Sequence, residues 1–223
     1  MIAPLSVRRS PVHEVLERLN PTWGCIHDMA VSLRFRDSAL ESKFRQELAL
    51  CDMSCFPKLG VKGSEAVTWL EQTGIPVPEP VYQYASFADG SMAIRTDRHE
   101  VLLVDGPSSQ RVAEIERRLQ SHPPNVYLIR RQDAAFCLSG LKASAVLRET
   151  CGFDFSNPGK AVVMTRVAGV SCLILPLEMG GIPSFRIWLD SSYGVYLWES
   201  LIEIVRDHGG DAIGLDALFP LPV

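Results

Sequence analysis

The chain has 223 residues, a net charge of −4, 47% hydrophobic residues and 22% charged residues. That length allows one large domain or two small ones, and the balance of apolar and charged residues excludes a disordered or fibrous chain. The acidic balance and the lack of a basic stripe argue against nucleic acid as a partner. The densest cationic group, Arg117, Arg118, Arg130 and Arg131, reads as solvated helix and strand ends.

Residues 1 to 28 read as an N-terminal arm. In SPVHEVLERLNP, Ser10 can cap a short helix with Pro11 at its first position, and the NP pair ends it. The start lacks the apolar segment of a secretory leader, and no apolar run reaches the roughly 18 residues a membrane span needs. MAVSLRF, Met29 to Phe35, alternates as a half-buried strand. DSALESKFRQELAL then suggests a helix with Ala39, Leu40, Phe44, Leu48 and Leu50 on one side, with a loop and strand as the alternative. CDMSCFPKLGVKG is expected to be a loop leading into a strand around Lys58 to Val61, with a turn at Gly63. Ser64 would cap the next helix, whose faces are set by Ala66, Val67, Leu70 and Glu71, and Gly74 closes it. IPVPEP is an extended linker. SMAIRT and EVLLVDG are strands joined by a hairpin-like DRH. GPSSQRVAEIERRL is a helix with Val112, Ile115 and Leu119 inward, broken by SHPPN.

The second half repeats this order. NVYLIRRQDAAFCLSG holds two strand-like runs. LKASAVLRETCGF is a helix with Leu141, Ala145 and Leu147 as candidate inner residues. KAVVMTRVAGVSCLILPL is two strands across Val167 to Gly169, and GGIPSFRIWLD is a further strand. SSYGVYLWESLIEIVRDHGG is a long helix with Tyr193, Tyr196, Leu197, Leu201 and Ile204 on a broad apolar face. Gly63 matches Gly140, and Trp69-Leu70 matches Val146-Leu147, at an offset of 77; Gly74 falls beside Gly152, and Asp105 matches Asp190 at an offset of 85. LEMGGIPS is the natural place for the extra residues. The pattern is a duplicated β-α-β-β-α unit, each with two amphipathic helices covering a mainly antiparallel sheet. The expected division is an arm over 1–28, a first α+β module over 29–120, a second over 125–208, and an apolar tail over 209–223. The tail or the arm is expected to lie on a partner.

Chemistry-bearing motifs are sparse. Cys25, Cys51, Cys55, Cys137, Cys151 and Cys172 are dispersed in apolar patterns, as suits buried thiols in a reducing compartment; the expected location is cytoplasmic. Neither Cys51/Cys55 nor Cys25/His27 has the partners of a tetrahedral set, so no metal site is expected. VDGPSSQ reads as capping by Ser108 or Ser109 rather than an anion site. GxGxxG and the hydrolase elbow are absent. Trp188, Tyr193, Tyr196 and Trp198 form an aromatic group expected in the core.

LALCDMSCFPKLGVKGSEAVTWLEQTGIPVPEP, GSMAIRTDRHEVLLVDG and FCLSGLKASAVLRETCGFDF resemble the aminomethyltransferase (glycine-cleavage T-protein) superfamily, over roughly residues 45 to 208. Within it the gamma subunit of heterotetrameric sarcosine oxidase, and related N-methyl amino acid dehydrogenases, is most similar. The resemblance implies an α+β fold of two similar modules, of the T-protein folate-binding-domain type. It also implies a non-catalytic place beside alpha-, beta- and delta-type subunits, with FMN, FAD, NAD and tetrahydrofolate belonging to those partners. The alternatives are a free-standing folate-binding protein of the aminomethyltransferase type, or an unrelated adaptor. The family's transferases carry an acidic pair where this chain has Ala93, Ile94 and Arg95, and a Gly-Tyr-Thr-Gly-Glu signature where it has RVAGVSCLILPL. An iminium-forming transfer wants a carboxylate near the developing positive charge, and Arg95 has the wrong sign. Asp97 lies two residues further on. No catalytic residue is therefore expected, and no cofactor-binding residue is identified.

Overall fold

A computed structural model describes residues 8–157, 159 and 161–219. In chain order the elements are β1 (Arg8–Arg9), α1 (His13–Glu17), β2 (Thr22–Ile26), β3 (Met29–Arg34), α2 (Ser38–Glu47) and β4 (Ala49–Asp52). There follow β5 (Lys58–Lys62), α3 (Ala66–Gln72), β6 (Tyr84–Ser86), β7 (Met92–Asp97), β8 (Glu100–Val104), α4 (Arg111–Leu119) and β9 (Tyr127–Arg131). The last are β10 (Ala134–Ser139), α5 (Ala143–Thr150), β11 (Val163–Val167), β12 (Val170–Met179), β13 (Ile182–Leu189), α6 (Gly194–Asp207), β14 (Asp211–Ala212) and α7 (Leu215–Leu218).

Two compact units result: Phe56–Gln132, and the described residues before and after it. These contact units are drawn differently from modules at 29–120 and 125–208, because residues 29–55 pack with the second half of the chain. In the central unit the sheet order is β6-β7-β8-β5-β9, antiparallel throughout. Leu59 and Val61, Val101 and Leu103, and Ala93 share a face by period-two alternation. They pack with Leu70 of α3 and Val112, Ile115 and Leu119 of α4. The inward residues expected for α4 are the buried ones.

The outer unit has the order β11-β12-β13-β10-β4-β14, with β14 parallel to β4 and every other pair antiparallel. Phe136, Leu138, Ile174, Phe185 and Ile187 pack with α5 and α6. Strand β10 is buried at all its positions, so its sequence is near-continuously apolar rather than alternating. A separate three-stranded sheet, β1-β3-β2, holds the arm. Val12 and Leu16 of the arm enter the same core as α6.

The two sheets match strand for strand up to one exchange. β9 follows the central unit's second helix and pairs with β5. The corresponding place beside β10 is filled not by β14 but by β4, from before the central unit. β14 is displaced one strand outward.

Several local expectations are corrected. Leu141 precedes α5 and is 76% exposed; Ala143, Val146 and Leu147 are the inner residues. Tyr193 and Tyr196 are exposed, and α6 instead buries Leu197, Trp198, Leu201, Ile202 and Val205. On α2 the buried residue is Glu41, while Leu40 is exposed and Leu50 lies in β4. β3 buries four consecutive residues, Met29 to Ser32, so it is not half-buried by alternation. Ser64 makes no cap for α3. In the tail, Ala212, Ile213, Leu215 and Leu218 are buried in their own unit, so this stretch is not an exposed segment awaiting a partner. Residues 220–223 lie outside the described residues.

Candidate functional site

The first string that bears on transferase chemistry is the turn Asp89-Gly90-Ser91 leading into β7. The Asp89 carboxylate accepts the Ser91 amide at 3.0 Å, and Arg111 Nε of α4 donates to Asp89 Oδ2 at 3.0 Å and to Ser91 Oγ at 2.8 Å. The Arg111 guanidinium lies 4.2 Å from the centre of the Phe87 ring, a cation–π contact. Burial alone would raise the Asp89 pKa, but the hydrogen bonds from Ser91 and the Arg111 charge outweigh it and hold the carboxyl below its ordinary value. This acid is engaged in closing the turn.

Beyond it, Ala93 and Ile94 are fully buried. Arg95 turns its guanidinium onto backbone: Nη1 donates to the Pro78 carbonyl at 3.0 Å and to that of Glu79, and Nη2 to that of Arg98 at 3.1 Å. Its charge is spent holding loops, and among the described residues no carboxylate joins it. Asp97 accepts the His99 amide at 3.2 Å in the β7–β8 hairpin turn.

The second string forms the β11–β12 hairpin. Ala168 (φ +46°) and Gly169 (φ +83°) both take left-handed conformations, as a two-residue type I′ turn requires. Val167 and Val170 flank the turn and are buried in the core. The Ala168 amide donates to the Thr150 carbonyl at 2.8 Å, and the Tyr196 hydroxyl donates to the Ala168 carbonyl at 3.1 Å. The turn is therefore a packed structural corner, and the string from Arg166 to Leu177 contains no acid.

In VDGPSSQ the Asp105 carboxylate does the capping. It accepts the Ser109 hydroxyl and, at 3.2 Å, the Val112 amide at the start of α4. Within the arginine group, Arg118 bridges Glu114 and Arg130 bridges Glu116 at 3.0 Å. Trp188 and Trp198 are buried, and Trp198 meets Phe136 edge-on at 5.4 Å.

All six cysteines are free thiols, and Cys25 is the exposed one. Burial pushes the Cys51 thiol well above its ordinary value, Cys137 up to about 11 and Cys172 up to about 12. Protonated, enclosed thiols are poor nucleophiles. Among the described residues no group of three or more His, Cys, Asp or Glu side chains is placed to hold a metal ion, and no helix is long and apolar enough to cross a membrane.

Sequence reasoning missed two buried polar centres. Glu41, 1% exposed, accepts the amides of Phe35 (2.6 Å), Arg36 (2.8 Å) and Gly214 (2.9 Å). Its position four residues after Asp37, where it can reach back to amides before the helix, resembles a capping box and is the signal that could have found it. His13, 3% exposed, stacks on Trp23 at 4.5 Å, and no pattern in the sequence distinguishes it.

The GCVT N-terminal domain model matches residues 13–221. An aminomethyltransferase of Thermoanaerobacter sp. (strain X514) is 22% identical, over 95% of this chain and 62% of that protein. One from Alkaliphilus metalliredigens is 22% identical over 94% and 61%. The chain thus spans about three-fifths of these relatives. The fold matches glycine cleavage system aminomethyltransferase T from Bartonella henselae with a TM-score of 0.73 at 20% identity, over 95% of this chain and 61% of that one. It also matches a chain of heterotetrameric sarcosine oxidase from Corynebacterium sp. U-96, solved in complex with pyrrole 2-carboxylate. There the TM-score is 0.65 at 16% identity, over 92% of this chain and 97% of that one.

Proposed function

The chain belongs to the GCVT N-terminal domain family, and from that premise we propose that it is a non-catalytic gamma-type subunit of a flavin-dependent heterotetrameric sarcosine oxidase or a related N-methyl amino acid dehydrogenase. A likeness in fold to a chain of heterotetrameric sarcosine oxidase supports this reading, and the side chains of one string carry it. Where the family's transferases carry acids, this chain has two buried apolar residues and an arginine satisfied by backbone carbonyls. A cationic intermediate would find no carboxylate partner there.

In this reading the chain works in the cytoplasm and assembles with alpha-, beta- and delta-type subunits. Those subunits hold FMN, FAD, NAD and tetrahydrofolate, and carry out oxidative demethylation coupled to one-carbon transfer. The second reading, a free-standing folate-binding protein, is favoured by the aminomethyltransferase names of the curated relatives. Affinity recovery of the tagged chain from its native cells separates the two. Co-eluting partners with visible flavin absorbance support the subunit; a lone chain that titrates with tetrahydrofolate supports the alternative and removes the first.

A further inference from the structure

A cavity of about 220 Å³ opens between α1 and the first turns of α6. Sites for drug-sized ligands run from roughly 300 to 1,000 Å³, so this one has room for something smaller, of amino-acid size. Two arginines and two glutamates are among the residues that line it: Arg9, Arg18, Glu14 and Glu199. Among the described residues none of these four charges is engaged in an ion pair. For Glu14 and Arg18 this is unusual. They stand four apart, acid first, with Arg18 at the C-cap of α1, the spacing and orientation that normally close a pair.

The cavity also has a buried polar lining. Ser10 is 7% exposed and His13 is 3% exposed. The Ser10 hydroxyl accepts the Val12 amide at 3.2 Å and keeps its own proton to donate. His13 Nδ1 is buried without a hydrogen-bond partner, a condition that is costly to leave unmet. Burial, and then the charge of Arg9, lower the imidazole pKa, which favours the neutral ring with its one donor and one acceptor. Val15 of α1 and Val195 of α6 supply the apolar part of the wall.

The charges select the ligand. A simple anion would meet two carboxylates and a simple cation two guanidiniums, each a repulsion at close range. A molecule carrying both charges a few bonds apart satisfies both pairs. We infer that this cavity binds a small zwitterion of the α-amino-acid class, with its carboxylate toward Arg9 and Arg18 and its ammonium toward Glu14 and Glu199. The site is built from the arm and α6 alone, so it stands or falls separately from the subunit reading.

The test uses the full chain with glycine and L-alanine as probes, and acetate and methylammonium as half-ligands at matched ionic strength. With imidazole-labelled histidine, each amino acid is expected to shift the His13 resonance saturably. The other four of the five histidines should stay unmoved, and neither half-ligand should reproduce the shift. Arg18→Gln and Glu199→Gln, both at exposed positions, are each expected to weaken binding about tenfold, the loss of one charge-assisted hydrogen bond. Calorimetric titration gives the same ratio independently. The inference is overturned if neither amino acid produces a saturable shift, if acetate alone produces the same one, or if both variants bind like the parent.

Discussion

The central unit Phe56–Gln132 and the unit built from the residues around it run the same programme of strands and helices, but they solve its entry turn with different neighbours. At the first strand–helix turn Gly63 has φ +135° and Gly140 has φ +114°. Gly63 donates to the His99 carbonyl and Gly140 to that of Pro183, each at 2.9 Å. Two residues on, Glu65 donates to the Asn125 carbonyl and Lys142 to that of Glu47. Asn125 lies just before β9 and Glu47 just before β4. The turn therefore needs an incoming strand to receive its amides, and it accepts β9 in one unit and β4 in the other. This is why neither α3 nor α5 carries a side-chain cap: backbone carbonyls already satisfy the helix starts. The comparison teaches that the repeat conserves a hydrogen-bonding arrangement rather than the chain order that supplies it.

The sharpest way to break the comparison is at those glycines. An alanine Cβ would lie 2.0 Å from the Asn125 carbonyl oxygen at position 63, and 2.5 Å from the Glu47 carbonyl at position 140. Gly63→Ala and Gly140→Ala are each expected to cost about 4 kcal/mol or more by urea denaturation. Gly74→Ala, where φ is +87° but nothing lies within 4 Å, should cost only about 1–2 kcal/mol. Equal costs at positions 63 and 74 would refute the matched turn.

Next in size is Trp198→Ala, expected to lose about 3–5 kcal/mol from the outer unit. Site-resolved amide exchange should show faster opening of β10 and β13 while β5 and β8 keep their protection. Glu41→Ala leaves three amides unpaired, that of Gly214 buried and those of Phe35 and Arg36 part-buried, and should cost about 3 kcal/mol. It too should act on the outer unit, since the central unit has no second copy of α2.

The second-helix caps give a smaller contrast. Asp105 is buried and bonded to the Val112 amide, whereas Asp190 is exposed and bonded to the Ser192 amide at 2.9 Å. Asp105→Ala is expected to cost about 1–2 kcal/mol, and Asp190→Ala measurably less. The smallest effect concerns acid. The folded pKa of Asp89 lies below its ordinary 3.8, so the stabilisation it supplies is complete above that value and fades as pH falls through the folded one. Asp89→Asn should flatten the acid limb of β7 amide protection; an unchanged limb would show that Asp89 contributes nothing to it.

Much of this was legible in the residues. The offset of 77 from Gly63 to Gly140 holds because only glycine fits a turn with positive φ pressed against backbone. The offset of 85 from Asp105 to Asp190 holds because both aspartates follow a strand and accept an amide in the segment that opens the next helix, Asp105 that of Val112 in α4 and Asp190 that of Ser192 in the 3-10 turn before α6. The extra residues do fall at Gly180-Gly181, in the longer β12–β13 hairpin. The pairing of Gly74 with Gly152 was weaker, since Gly74 closes α3 in a left-handed turn while Gly152 has no such conformation. The inner faces of α5 and α6 were misjudged because periodicity fixes an angular stripe but not its phase when apolar residues such as Leu141, Tyr193 and Tyr196 sit on both edges of it.

By itself, then, the sequence determined the two repeated strand–turn–helix stretches, the duplicated turns, most of the buried thiols and the absence of an acid from Ala93 to Arg95, because each depends on residues close together in the chain. Only the tertiary structure decided that β4 completes the sheet of β10, that the C-terminal stretch is core, that Glu41 binds three amides, and that Arg9, Arg18, Glu14 and Glu199 share one cavity. Those outcomes depend on which distant segment arrives at an unsatisfied hydrogen-bonding group or an open apolar face, and local pattern carries no record of that partner.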